Sequence, residues 1–421
     1  MRRFVRRCLL LLVLAVGLAR NGFRRARVAS VRRVLLIRPD HLGDLLFTTP
    51  ALAELRRALP AAHITYLVGP WFREIAERNP HVDEVQTCAF PGFRRESQGP
   101  LEPYRLLWKQ AQALRRQHYD LAIVLRPDFW WGVWLISLAG IPLRVGYADD
   151  LQTPFLTMAL PLREGEHAVR QNVRLVQTAA LLAKQTADEV QKVGKLSDGQ
   201  PARLERVSPE QGHPPLEFAP TDAERAWVGE RLAQEDINAG DRFIVIHPGT
   251  GAPVKLWEAA SWAQVADALI RAYGVRVVLT GSESERAQVE DIQARMQQPA
   301  LALIGETDLG KLAALLARAD LVLGVDNGPL HLATAQGTPT VRLYGPTDTR
   351  VFGPWGDARL HKIVQAKQPC AGCSTIPCGR LDWSSAELAA HPCVRSLAVD
   401  EVLAAAEALL AKRVAKQAEK A

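Results

Sequence analysis

Twice in this chain a short apolar run rich in β-branched residues ends at a polar, glycine-containing loop and is followed by a helical stripe. The first instance is RRVLLIR, PDHLGD and LLFTTPALAELRRAL over residues 32–59, and the second is RFIVIHPGTG with SWAQVADALIRAY over residues 242–273. In the first, Leu52, Leu55 and Leu59 recur at i, i+3 and i+7, the spacing of an amphipathic helix. Strand, turn and helix in that order form the repeating unit of a parallel α/β sheet, because parallel neighbours need a crossover between them. The pattern continues through HITYLVG, DEVQTC and YDLAIVLR in the first half, and through VRVVLTGSESE, LALIGE, DLVLGVDNG and TPTVRLYGPT in the second.

Between the halves, residues 192–220 lose periodicity and gain Pro, Gly and charge, as a linker does. The chain of 421 residues is too long for one core. The expected organisation is therefore a basic and apolar segment 1–30, an α/β domain 31–191, the linker 192–220, a second α/β domain 221–395 and a C-terminal helix and tail 396–421. In open α/β sheets ligands bind beyond the carboxyl ends of the strands, so a cleft between two such domains is the expected site.

The formal charge of +7 suggests nucleic acid until it is located. Residues 1–33 hold ten Arg and no Asp, Glu or Lys, leaving 42 Lys and Arg against 45 Asp and Glu elsewhere. The body is slightly acidic, which argues against a nucleic-acid partner. The basic end encloses CLLLLVLAVGLA, residues 8–19. As a helix these cover roughly 18 Å of the roughly 30 Å hydrocarbon core, too little for a span. An anchor on the cytoplasmic face, with arginines among anionic headgroups, is the preferred reading; a secretory signal or a non-native extended start are the others.

Polar motifs fall at strand ends. Asp44 is either a helix N-cap or a carboxylate able to take a proton from a hydroxyl. Gly249, Thr250 and Gly251, with Lys255 four residues on, form either a phosphate-approaching loop or an ordinary turn, and His247 closes the strand before them. Glu283 in TGSESE is a candidate for ribose hydroxyls or a helix-terminal acid. Asp326, Asn327, Gly328 and His331 end DLVLGV and open the helix PLHLATAQG, whose N-terminal amides and dipole make an anion seat. Cys370, Cys373, Cys378 and Cys393 follow C-x2-C-x4-C-x14-C, readable as a structural Zn²⁺ site, two disulfides, or free thiols in a loop.

LLIRPDHLGDLLFTTPAL, IHPGTGAPVKLW and above all GVDNGPLHLATAQGTPTVRLYGPTD resemble the bacterial heptosyltransferases, the ADP-heptose:lipopolysaccharide transferases of glycosyltransferase family 9. The likeness runs from about residue 33 to about residue 358, and its D-x-G-x-x-H segment is specific. It implies an α/β fold of GT-B type, with two Rossmann-like domains facing a central cleft, the acceptor in the first and the nucleotide-sugar in the second. It implies inversion at the anomeric carbon, no cofactor or metal for catalysis, and a lipid-linked glycan acceptor, with which the membrane-surface location read from the arginine-flanked apolar run agrees. Carried over, Asp44 is the general base, Lys255 contacts phosphate and Glu283 lies near the ribose; Asp326, Gly328 and His331 contact sugar and phosphate. Asn327 stands where Thr is common. Residues 1–30 lie outside the likeness. Another nucleotide-sugar, a sugar-nucleotide epimerase and a non-catalytic sensor are the alternatives.

Overall fold

In the computed structural model, which describes residues 30–93, 99–184, 214–384 and 386–418, every apolar run assigned above to the α/β pattern becomes a strand. The leader 1–29, with its expected anchor, and residues 185–213, most of the expected linker, lie outside the described residues. Among the described residues no helix is long and apolar enough to cross a membrane. The chain divides into two compact units, Met1–His213 and Pro214–Ala421.

The first unit holds a six-stranded sheet of β1 (Arg33–Arg38), β2 (His63–Val68), β3 (Glu84–Thr87), β4 (Leu121–Val124), β5 (Leu143–Tyr147) and β6 (Met158–Leu160), in the order β3-β2-β1-β4-β5-β6. The second holds β7 (Phe243–His247), β8 (Arg276–Gly281), β9 (Leu301–Ile304), β10 (Leu321–Val325), β11 (Thr340–Tyr344) and β12 (His361–Gln365), in the order β12-β11-β10-β7-β8-β9. Read from the other edge, the second order is the first repeated. All pairings are parallel, with β1 against β2 and β4, and β7 against β8 and β10. Each unit therefore reverses its strand order once, between β1 and β4 and between β7 and β10. Such a reversal opens a crevice at the strands' carboxyl ends.

The helix expected over LLFTTPALAELRRAL is two helices, α1 (Leu42–Leu46) and α2 (Thr49–Ala58). Pro50 lacks the N–H that would bond the Leu46 carbonyl, and the Thr49 hydroxyl takes that carbonyl instead at 2.8 Å. Leu52 and Leu55 are buried at 1% and 0% exposure. Each contributes roughly 1.5–3 kcal/mol by leaving water. Leu59 falls outside the helix, at its C-cap.

In the second unit α3 (Ala259–Tyr273) and the terminal α5 (Val399–Ala418) flank the sheet, and α4 (Gly328–Ala335) follows β10. Val402, Ala406, Leu409 and Leu410 of α5 lie in one core with Trp257 and Trp262. The Trp257 indole donates to the Leu397 carbonyl at 3.1 Å. Leu397 and these four α5 residues are thus part of the second unit's core. Gly324 in β10 is fixed sterically, because a Cβ there would stand 2.5 Å from both the His247 carbonyl and the Leu330 side chain. That close approach brings β7 and α4 together over β10.

Candidate functional site

In the first unit the reversal is occupied by four charges. Arg38 ends β1; its Nε lies 2.5 Å from Asp40, its Nη2 donates to Asp44 at 3.0 Å, and its Nη1 donates to the Leu125 carbonyl at 2.6 Å. Arg126, just past β4, closes the other side by pairing with Asp40. Two arginines and two aspartates balance, which makes the burial of Arg38 and Asp40 tolerable. The Asp44 side chain remains one-third exposed (33%).

Asp44 does not cap its helix. His41 is the N-cap residue, without a side-chain cap bond, and Asp44 sits inside the first turn. Burial, then the neighbouring Asp40, push the Asp44 carboxyl above its ordinary value of 3.8, against the pull of Arg38 and Arg126. A carboxylate that is costly to keep charged, held in place by one guanidinium and open to solvent, is suited to accept a proton. His41 is exposed beside it, with its ring 5.9 Å from Trp71 and 6.2 Å from Phe72.

In the second unit the reversal joins the loops after β7 and β10. Lys255 Nζ lies 2.7 Å from Asp326 Oδ2, and both side chains are largely covered, at 13% and 7% exposure. His331 is buried at 4% exposure, with Nε2 3.9 Å from Asp326 Oδ1. Asn327 caps α4 by accepting from the Leu330 N–H at 3.1 Å, and its amide donates to the Gly249 carbonyl at 2.7 Å. The shorter side chain of Thr could form the cap, but it has no amide with which to clamp the β7 loop as well. Lys255, Asp326, Asn327 and His331 are therefore brought together, with Gly249 tied to them and Gly328 opening the helix.

The anion seat has fewer backbone donors than the sequence suggests. In the first turn of α4, Pro329 has no N–H and the Leu330 N–H is taken by Asn327, which leaves the Gly328 amide. The polar side chains at this end of the helix include Lys255 and His331, both beside Asp326. Thr250 and Gly251 form the adjoining turn, where the Thr250 hydroxyl accepts from the Ala252 N–H at 3.4 Å. Gly249 is set by a neighbour, since a Cβ there would fall 1.9 Å from a carboxylate oxygen of Glu285. Glu285 also completes a capping box with Ser282. His247 is buried, bonds the Thr280 hydroxyl at 3.0 Å, and is held below its ordinary value by burial. Glu283 stands apart from this group, with its carboxylate bonded to Arg286 at 2.7 Å and its side chain 69% exposed.

The cysteine loop carries free thiols at Cys370, Cys373, Cys378 and Cys393. Cys370, Cys373 and His391 place ligand atoms within 4.8 Å of one another, and His391 Nδ1 is 3.3 Å from the Cys373 sulfur. Burial, then Cys378 and Cys370, raise the Cys373 thiol; burial and Cys370 push Cys393 up to about 12. The four sulfurs thus share one neighbourhood, and a histidine joins them. Two thiols and an imidazole are a donor set that Zn²⁺ accepts.

Sequence reasoning missed Arg38, Asp40, Arg126, Glu285, Arg342 and His391. Two left a signal: a charge inside the apolar strand TVRLY for Arg342, and a histidine two residues before Cys393.

Residues 107–383 match glycosyltransferase family 9 (heptosyltransferase). The lipopolysaccharide heptosyltransferase 1 of Pseudomonas aeruginosa is 28% identical over 353 residues, covering 82% of this chain and 87% of that protein. The lipopolysaccharide heptosyltransferase 3 of Escherichia coli is 28% identical over 327 residues, covering 75% and 84%. Among solved structures, the family 9 glycosyl transferase of Veillonella parvula superposes with a TM-score of 0.69 at 24% identity, covering 90% of this chain and 98% of that one. The ADP-heptose lps heptosyltransferase II of E. coli superposes with a TM-score of 0.64 at 22% identity, covering 90% and 99%. These two likenesses establish the fold, of the GT-B type read from the sequence.

Proposed function

The chain belongs to glycosyltransferase family 9, and from that premise we propose that it transfers a heptose from ADP-heptose to a lipid-linked envelope glycan, such as the inner core of lipopolysaccharide. The observation that carries the reading is the Lys255–Asp326 pair, at 2.7 Å, beside His331 and the start of α4. It sits at the point of the second sheet where an α/β fold receives a nucleotide. Relatives named as lipopolysaccharide heptosyltransferases, aligned over most of both lengths, favour heptose and this acceptor.

In this mechanism Lys255 and His331 hold the diphosphate, Gly328 gives it a backbone N–H, and the Gly249–Thr250–Gly251 loop and Glu283 flank the nucleotide. Asn327 holds the loops together. Asp44 takes the proton of the acceptor hydroxyl as that oxygen attacks the anomeric carbon. The bond from that carbon to the diphosphate breaks on the opposite face, and ADP departs with the electron pair, so the configuration inverts. Charge grows on the leaving diphosphate in the transition state, where preorganised donors lower the barrier most. No metal takes part in the transfer.

Zn²⁺ held by Cys370, Cys373 and His391, with Cys378 and Cys393 adjacent, would brace the loop before α5. The arginine-flanked apolar leader holds the protein peripherally on the inner face of the cytoplasmic membrane, where a lipid-linked acceptor meets a cytosolic donor. Deleting residues 1–29 should move the protein from the membrane fraction to the soluble fraction; unchanged membrane association would remove that role.

Calorimetric titration with ADP, UDP and GDP tests the donor assignment. Binding of ADP in preference to the others, weakened by Asp326→Ala, is the expected result. A preference for UDP or GDP would keep the fold and overturn the heptose donor.

A further inference from the structure

Strand β11 reads TVRLY, and its arginine is 0% exposed in the middle of an apolar sheet. Arg342 pairs in register with Gly324 of β10, and its side chain reaches α4. Every nitrogen of the guanidinium is used. Nε donates to Thr340 Oγ1 at 3.2 Å, Nη1 to His331 Nδ1 at 2.9 Å, and Nη2 to the Leu330 carbonyl at 2.6 Å and to the Thr334 hydroxyl. Burial lowers its pKa, while Tyr344 and Asp326 oppose the shift, and a guanidinium starts high enough to remain charged.

A guanidinium donates and never accepts. The bond to His331 therefore requires a lone pair on Nδ1, which puts the ring proton on Nε2, the atom 3.9 Å from Asp326 Oδ1. The other side of the network agrees in polarity. Thr340 accepts from Arg342 and its hydroxyl also lies 2.9 Å from His361 Nδ1, and His361 adds no competing charge because burial and Arg342 hold it down to about 3. Charge adds a second consequence. Asp326 cancels one of the two positive charges of Lys255 and Arg342, and the other remains beside α4.

We propose that Arg342 is a positioning residue for the donor's diphosphate: it fixes His331 as an Nε2–H donor beside the Lys255–Asp326 pair and adds a second positive charge there. The proposal rests on the reading of this site as the diphosphate seat. Without Arg342, His331 could adopt either tautomer, and one positive charge would be cancelled by Asp326 alone.

The test combines two readouts on the full chain. Histidine-ring ¹⁵N–¹H correlation spectra of the nucleotide-free wild type at pH 7, with the His331 signal assigned by its loss in His331→Gln, should show the Nε2–H tautomer. Arg342→Lys, which keeps the charge and loses the fork, should show mixed tautomers and bind ADP about tenfold more weakly, the scale of one hydrogen bond to a charged group. Arg342→Met should lose more, with Arg342→Lys a partial rescue. An Nδ1–H tautomer in the wild type would overturn the proposal even if neither variant folds. So would unchanged ADP affinity in folded Arg342→Met beside a wild type that binds ADP, and that result would spare the donor site. A wild type that binds no ADP would remove the diphosphate reading, and the role of Arg342 with it.

Discussion

Asp44 answers to two opposed demands, since the fold raises the cost of its charge while Arg38 holds the charged group in place. Its folded pKa lies above the unfolded value of 3.8. Such a group contributes stability that is fully present below pH 3.8 and is lost as pH rises through the folded value. Asp44→Asn should therefore melt higher than wild type at neutral pH, with the gap closing in acid, when followed by thermal denaturation. The same variant should lose about 10²–10⁴-fold in turnover, the range of general-base catalysis, while ADP binding stays nearly intact. The wild-type rate should fall as pH drops through the raised value, so the acid limb of the pH–rate profile should lie above 3.8. Asp40→Asn, which removes the second-largest raising influence, should move that limb to lower pH. Asp44, Lys255, Asp326 and His331 were legible because each follows an apolar strand as an unexpected polar type. Arg38 and Arg126 were not, because the Asp40 that joins them is 86 residues from Arg126 and one-dimensional spacing carries no such pairing.

At the scale of elements, α4 depends on a cap that also joins two loops. Asn327→Ala should lower stability by about 1 kcal/mol through the cap alone, and weaken ADP binding by freeing the Gly249 carbonyl. Asn327→Thr should recover the melting temperature and leave the binding defect, which separates the two functions. Strand and helix patterns identified β1 to β4 and β7 to β11 from the sequence, because hydrophobic burial imposes those patterns directly. The break between α1 and α2 escaped, since the Leu52 and Leu55 stripe reads the same with or without an interruption at Pro50. The anion seat was overcounted for a comparable reason: periodicity locates a helix N-terminus and says nothing of which amides its cap consumes. In the cysteine loop, metal analysis of the purified protein should give about one Zn per chain, the stoichiometry of a structural site. A chelator should lower the melting temperature of wild type and leave that of His391→Ala unmoved. A wild-type protein that melts unchanged after chelation would leave the loop with free thiols.

For the whole molecule, each unit repeats one strand order around its own core, and the expected donor residues all lie in the second. A fragment spanning residues 214–421 should fold and bind ADP within about tenfold of the full chain, since a domain with its own core is an independent folding unit. It should transfer nothing, because Asp44 lies in the first unit. The repeated α/β pattern was readable from the sequence because both halves open with the same strand, loop and helix, whereas the place of α5 in the second core depends on contacts across more than a hundred residues. Transfer with Asp44 as base is tested by mass-resolved turnover of ADP-heptose by the full chain, with and without a lipid-linked inner-core acceptor. ADP and a heptosylated acceptor should appear together, only when acceptor is present, and Asp44→Asn should slow both by the same factor of about 10²–10⁴. Conversion of the donor without acceptor, or equal turnover by Asp44→Asn, would contradict this mechanism.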